Sequence, residues 1–175
     1  MRFSRHHAVF GAVAATIMTA CALGQGNMQS PPGTAEVTLN GKQVTITYHR
    51  PSVRGRKIMG GLVPYGQVWR TGANEATTLK SGVDLDIGGA NVPAGTYTLY
   101  TLPSEETWKL IINKQTGQWG TEYNESQDLA RVNMQKQKCP QVEQFTISWK
   151  KNGASSADLV LEWETTRLSV PVHAK

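Results

Sequence analysis

Arg50, Arg54, Arg56, Lys57 and Arg70 all fall in one stretch, Arg50 to Ala76, whose only acid is Glu75. A guanidinium presents a fixed fork of donors that suits planar carboxylates and phosphates. Glycines at 55, 60, 61, 66 and 72 would leave backbone amides open beside those forks. The chemistry this suggests is capture of an anion: a small anion, an anionic glycan or a lipid head group. Tyr48 and His49 at the entrance add a hydroxyl and an imidazole, and Asn74 and Glu75 close the segment. Trp69, and Trp119 further on, sit beside glycines in loops, where an indole can stack on a sugar. A structural reading competes with this one. In it, Ile58, Met59, Leu62, Val63, Tyr65, Val68 and Trp69 pack over an open end of the fold. Arg70 then pairs with Glu75, and Asn74 serves turn geometry.

Other chemistries are thinner. A hydrolase could be assembled from His49 as base with Glu75 or Ser52, but Ser52 is only three residues from His49 and there is no Gly-x-Ser-x-Gly elbow. Beyond the first 24 residues the histidines are His49 and His173, with no His-x-His, His-Glu-x-x-His or Cys-x-x-Cys spacing. No metal site and no cofactor are expected. Asp84 and Asp86 alternate on a strand and read as solvated charge. No basic stripe interleaved with aromatics suggests nucleic acid. A non-enzymatic binding or structural domain is therefore the leading expectation, a hydrolase the alternative, and a purely structural or protein-partner module the third.

The elements that must position these residues are strands. The chain has 175 residues, room for one domain. Arg2 and Arg5 precede an apolar run, Ala8 to Ala20, that is too short to span a bilayer, which takes about 20 residues. Residues 1–24 read as a signal peptide cut after Ala22-Leu23-Gly24. Met18-Thr19-Ala20-Cys21 offers a second reading, a lipoprotein signal with Cys21 lipidated as the only tie to a membrane. The protein is thus expected to be exported, periplasmic or extracellular, or else lipid-anchored in the envelope. Without Arg2 and Arg5 the net charge of +5 becomes +3, whereas the Arg50–Ala76 stretch alone carries +4, so the rest of the chain is close to neutral at −1. Cys139 has no partner once Cys21 is removed or lipidated, and reads as an incidental thiol in a polar linker before Pro140.

Residues 25–34 read as an extended leader, and 35–175 as the domain. Period-two alternation then recurs: Val37 and Leu39; Val44, Ile46 and Tyr48; Val83, Leu85 and Ile87; Trp108, Leu110 and Ile112; Phe145, Ile147 and Trp149; Leu159, Leu161 and Trp163; Leu168, Val170 and Val172. Thr96 to Leu102 reads as a central strand, and Val132 with Met134 as a weaker one. Asn40-Gly41 marks a tight hairpin because both turn positions need positive φ. A turn or two of helix is anticipated near Glu122–Ala130. Eight or nine short strands at hairpin spacing predict an all-β, single-domain antiparallel β-sandwich, jelly-roll-like, with one long glycine- and arginine-rich loop.

Arg50 to Thr77, with Pro93-Ala94-Gly95-Thr96-Tyr97 and Asn113 through Gln118-Trp119-Gly120, resembles the bacterial domain of unknown function 2911 family, over roughly residues 31 to 172. The resemblance implies exported all-β proteins. It marks the arginine-rich loop as the family hallmark and assigns it no activity or site residues.

Overall fold

Where apolar and polar residues alternate, one face of an extended chain can be buried while the other stays wet. In the computed structural model, which describes residues 30–175, that pattern yields nine strands. They are β1 (Pro32–Leu39), β2 (Lys42–His49), β3 (Thr78–Ser81), β4 (Leu85–Ile87), β5 (Ala90–Val92), β6 (Gly95–Leu102), β7 (Trp108–Asn113), β8 (Asp128–Lys151) and β9 (Ser156–Ala174). The expected signal peptide, Cys21 and residues 25–29 of the expected leader lie outside the described residues. The remainder of that leader is not loose chain, since Pro32–Thr34 already pair with Thr47–His49 in β2.

All neighbours are antiparallel, in the order β1-β2-β3-β6-β7-β8-β9-β4-β5. The chain leaves β3, builds the β4–β5 hairpin at the far edge beside β9, and returns as β6 next to β3. β8 joins two layers, pairing with β7 through its first residues and with β9 beyond them. From the opposite end of the strand order, β1 packs against β8 and β9. Between the layers lie Ile46, Leu79, Leu99, Leu110 and Ile112 on one side and Leu85, Ile147, Leu161, Leu168 and Val170 on the other.

The turns follow from residue chemistry. Asn40 and Gly41 have φ of 48° and 72°, the left-handed pair of a tight hairpin that sets Leu39 opposite Lys42. The helical turn anticipated near Glu122 is a single 3-10 turn, Glu125–Gln127, capped by Asn124, whose Oδ1 accepts the Ser126 amide at 3.0 Å. Two expectations need correction. Cys139 and Pro140 lie in mid-β8, not in a linker. They fall at the register shift between Lys138 and Val142, where the pairing with β9 is interrupted and both faces are exposed or half-buried, so no apolar alternation announces the strand. Likewise Trp163 and Leu168 belong to one strand, kinked at Glu164 (φ 54°) where the β8–β9 register shifts.

Candidate functional site

The Arg50–Ala76 connection is held by three short ladders. On its outgoing limb, Val53 N donates to Glu143 O and Phe145 N to Pro51 O, each at 2.8 Å, so this limb pairs with the middle of β8. On the return limb Trp69 exchanges bonds of 2.8 and 2.9 Å with Thr101, and Gly66 N donates to Pro103 O at 2.9 Å, extending the sheet beside β6. Finally Gly120 N donates to Asn74 O at 3.1 Å, and Ala76 N to Gln118 O at 3.4 Å. At the tip, Gly61 N and Val63 N both donate to Ile58 O. Ile58 and Val63 are wholly buried. Long loops in compact domains tend to be functional. This one is anchored by Ile58 and Val63, with Met59 and Trp69 packed on the core, whereas Leu62, also expected to face the core, is exposed.

Between the limbs, at one end of the sandwich, lies a cleft of about 470 Å³. The loop supplies Arg54, Arg56 and Arg70 to its wall, and among the described residues no Asp or Glu lines it. Arg56 folds back on its own limb, with Nε donating to Val53 O at 3.1 Å and Nη2 to Ser52 O at 2.6 Å. This fixes the fork and leaves its remaining donors available. Arg54 has a left-handed backbone (φ 49°), and its amide is held by Glu143 Oε1 at 2.9 Å. Arg70 makes no hydrogen bond or ion pair among the described residues. Its stem instead lies across Gly120, where a Cβ would stand 2.7 Å from Arg70 Cδ.

Aromatic residues also line the cleft. Trp69 stacks on Trp163 at 5.7 Å between centroids and meets Phe145 edge-on. Tyr100 and Tyr123 meet at 4.9 Å, and both line the cleft. Their hydroxyls are engaged elsewhere. Tyr123 donates to Asp128 Oδ2 at 2.6 Å and accepts from Arg131 Nη2 at 2.8 Å. Tyr100 donates to Glu122 O and accepts from Gln118 Nε2 at 3.0 Å. Burial, then the bond to Asp128, pushes the Tyr123 phenol up to about 12. Burial also raises Tyr100, and the bond to Asp128 raises Arg131 further. Fully buried Asn113 anchors the segment carrying Tyr123, donating to Asn124 O and Asp128 Oδ1 at 2.9 and 2.8 Å.

Among the sequence candidates, Arg54, Arg56, Trp69, Arg70, Asn74 and Ser52 line the cleft, whereas Tyr48, His49, Arg50 and Glu75 do not. Arg50 turns to β8, donating from Nε to Phe145 O at 3.2 Å and from Nη2 to Thr146 Oγ1 at 3.0 Å. Tyr48 is a core residue whose hydroxyl bonds both Ile147 O and Ile147 N. The expected Arg70–Glu75 pair does not form. Glu75 sits beside Trp119 on the ladder and reaches His49 Nδ1 at 3.3 Å, since alternation on that ladder sends residue 75 to the face opposite Asn74. Glu75 does orient His49, but among the described residues no hydrogen bond joins Ser52 to His49. Cys139 is partly buried, and burial, then Glu162, raises its thiol. Sequence reasoning did not find Tyr100, Tyr123, Gly120 or Thr121 as parts of this cleft. The one available signal was that Gln118-Trp119-Gly120 belongs to the same set of motifs as the loop.

The fold and the loop define an all-β antiparallel domain with an arginine-lined cleft at one end. By sequence the chain belongs to the family of proteins of unknown function DUF2911, whose model matches residues 30–172. No curated protein and no solved structure matches it.

Proposed function

We propose that this protein is a non-enzymatic binding domain, exported to the bacterial envelope, whose cleft holds an anionic ligand between Arg54, Arg56 and Arg70. The observation that carries the reading is that three arginines and, among the described residues, no Asp or Glu line the cleft. Arginines on a surface usually find acids, and Arg70 has neither an ion pair nor a hydrogen bond among the described residues, so the cleft favours an anion. Anchoring of the loop fits binding, because little ordering entropy is lost when a ligand enters a preformed site. Export rests on the basic start and short apolar run of residues 1–24.

The test is calorimetric titration of residues 25–175 with inorganic phosphate, sulfate and galacturonate, against an Arg54→Ala/Arg56→Ala/Arg70→Ala variant. Saturable binding of at least one anion, lost in the variant, is expected. Saturation by none, or equal affinity in the variant, would refute the reading. A hydrolase remains the second reading because Glu75 contacts His49. It requires hydrolytic activity that His49→Ala abolishes.

A further inference from the structure

We infer that the ligand is an acidic sugar, its carboxylate taken by Arg70 and its ring laid against Tyr123. This rests on the cleft being an anion site and goes on to name the class of anion.

The cleft offers two kinds of surface. Its cations are Arg54, Arg56 and Arg70, and its aromatic carbon is that of the half-buried Tyr123 and Trp69, with the Tyr123 hydroxyl held away by Asp128 and Arg131. Tyr123 is fixed in position by its contact with the buried Tyr100 and by the anchored Asn113 segment. Leu62, 47% exposed, adds apolar surface at the loop tip. A bare phosphate or sulfate makes no use of such a surface. A pyranose does, because its axial C–H faces are apolar while its rim is hydroxylated, and Gln67 and Thr121 supply neutral polar groups around the cleft for that rim.

The charge requirement points the same way. Arg56 has already committed donors to Val53 O and Ser52 O, and Arg54 is also engaged. Only Arg70 brings a whole fork, and one planar fork matches one planar carboxylate. A multiply charged phosphate ester would call for several such forks or a nest of backbone amides. The volume of about 470 Å³ lies within the range of small-molecule sites.

The experiment titrates residues 25–175 with four probes: a galacturonate trisaccharide, its fully methyl-esterified form, benzoate and inorganic phosphate. The acidic trisaccharide should bind, and esterification should weaken it roughly tenfold or more, the loss of a charge-assisted hydrogen-bond pair. Arg70→Ala should erase the difference between acid and ester. Tyr123→Phe keeps the ring and should bind within about threefold of wild type, while Tyr123→Ala should lose about tenfold, a stacking contribution. Thermal melts of each variant establish that it is folded. If phosphate binds through the arginines and the trisaccharide does not, the sugar assignment fails while the anion cleft stands. Benzoate binding as well as the trisaccharide would show that the hydroxyl rim is unread and would also overturn it. Binding of none of the probes overturns both.

Discussion

Gly120→Ala tests how tightly the cleft wall is fitted. A Cβ at position 120 would lie 2.7 Å from Arg70 Cδ, 2.7 Å from Asn74 O and 3.2 Å from Arg70 Cβ. Arg70 can swing aside, but Asn74 O cannot retreat without breaking the 3.1 Å bond it accepts from Gly120 N. Overpacking against backbone costs about 1–3 kcal/mol. At roughly 3 °C per kcal/mol for a domain of this size, the melting temperature should fall by about 3–9 °C. Gly82→Ala is the control. Gly82 has no positive φ, and its nearest contacts are Gln43 O at 3.5 Å and Lys42 Cβ at 3.7 Å. That substitution should be neutral, or stabilise by up to about 1 kcal/mol through the unfolded chain. Differential scanning calorimetry of the two variants decides. Equal melting temperatures would refute the argument that Gly120 is there to let Arg70 cross it. The same displacement should weaken anion binding in Gly120→Ala and leave it unchanged in Gly82→Ala.

Further expectations concern Arg50, Tyr123 and Cys139. Arg50→Ala should lower stability by about 1–3 kcal/mol, because it removes two bonds to β8. Anion affinity in that variant should be unchanged, and calorimetry reads both quantities. Tyr123 holds its proton up to about 12, first through burial and then through the bond to Asp128. Its neutral form is thus favoured on folding. The stability this confers is intact below the ordinary tyrosine value near 10 and is lost as pH rises from there to about 12. Ultraviolet titration should show a late tyrosine phase that is absent from Tyr123→Phe; an unchanged profile would contradict the assignment. Cys139, with its thiol raised by burial and Glu162, should react with a disulfide reagent more slowly than free cysteine at neutral pH.

The parts of this molecule legible in its sequence are those governed by local rules. Asn40-Gly41 gives away its hairpin because few other pairs accept positive φ twice in succession, and Val44-x-Ile46-x-Tyr48 gives away its strand because one face must be buried. Cys139 and Pro140 concealed theirs, since they lie at an irregularity of β8 with little burial on either face, which leaves no trace in the apolar pattern. The candidate site was half legible. Clustered arginines in an acid-poor loop drew attention to Arg54, Arg56 and Arg70. Nothing local distinguished them from Arg50, whose orientation is set by Phe145 and Thr146 nearly a hundred residues away. Tyr123 was hidden for the same reason. It reaches the cleft only because Asn113 and Asp128 fold its segment back beside β7.

The central claim is that three guanidinium groups converge on one ligand while a fourth, their neighbour in sequence, serves the framework. Its most direct test is nuclear magnetic resonance of the arginine Nε–Hε groups during titration with the galacturonate trisaccharide. Arg70 should show the largest shift, Arg54 and Arg56 should follow, and Arg50, already bound to Phe145 O, should stay where it is. Shifts confined to Arg50, or none at Arg70 as the titration saturates, would contradict the account.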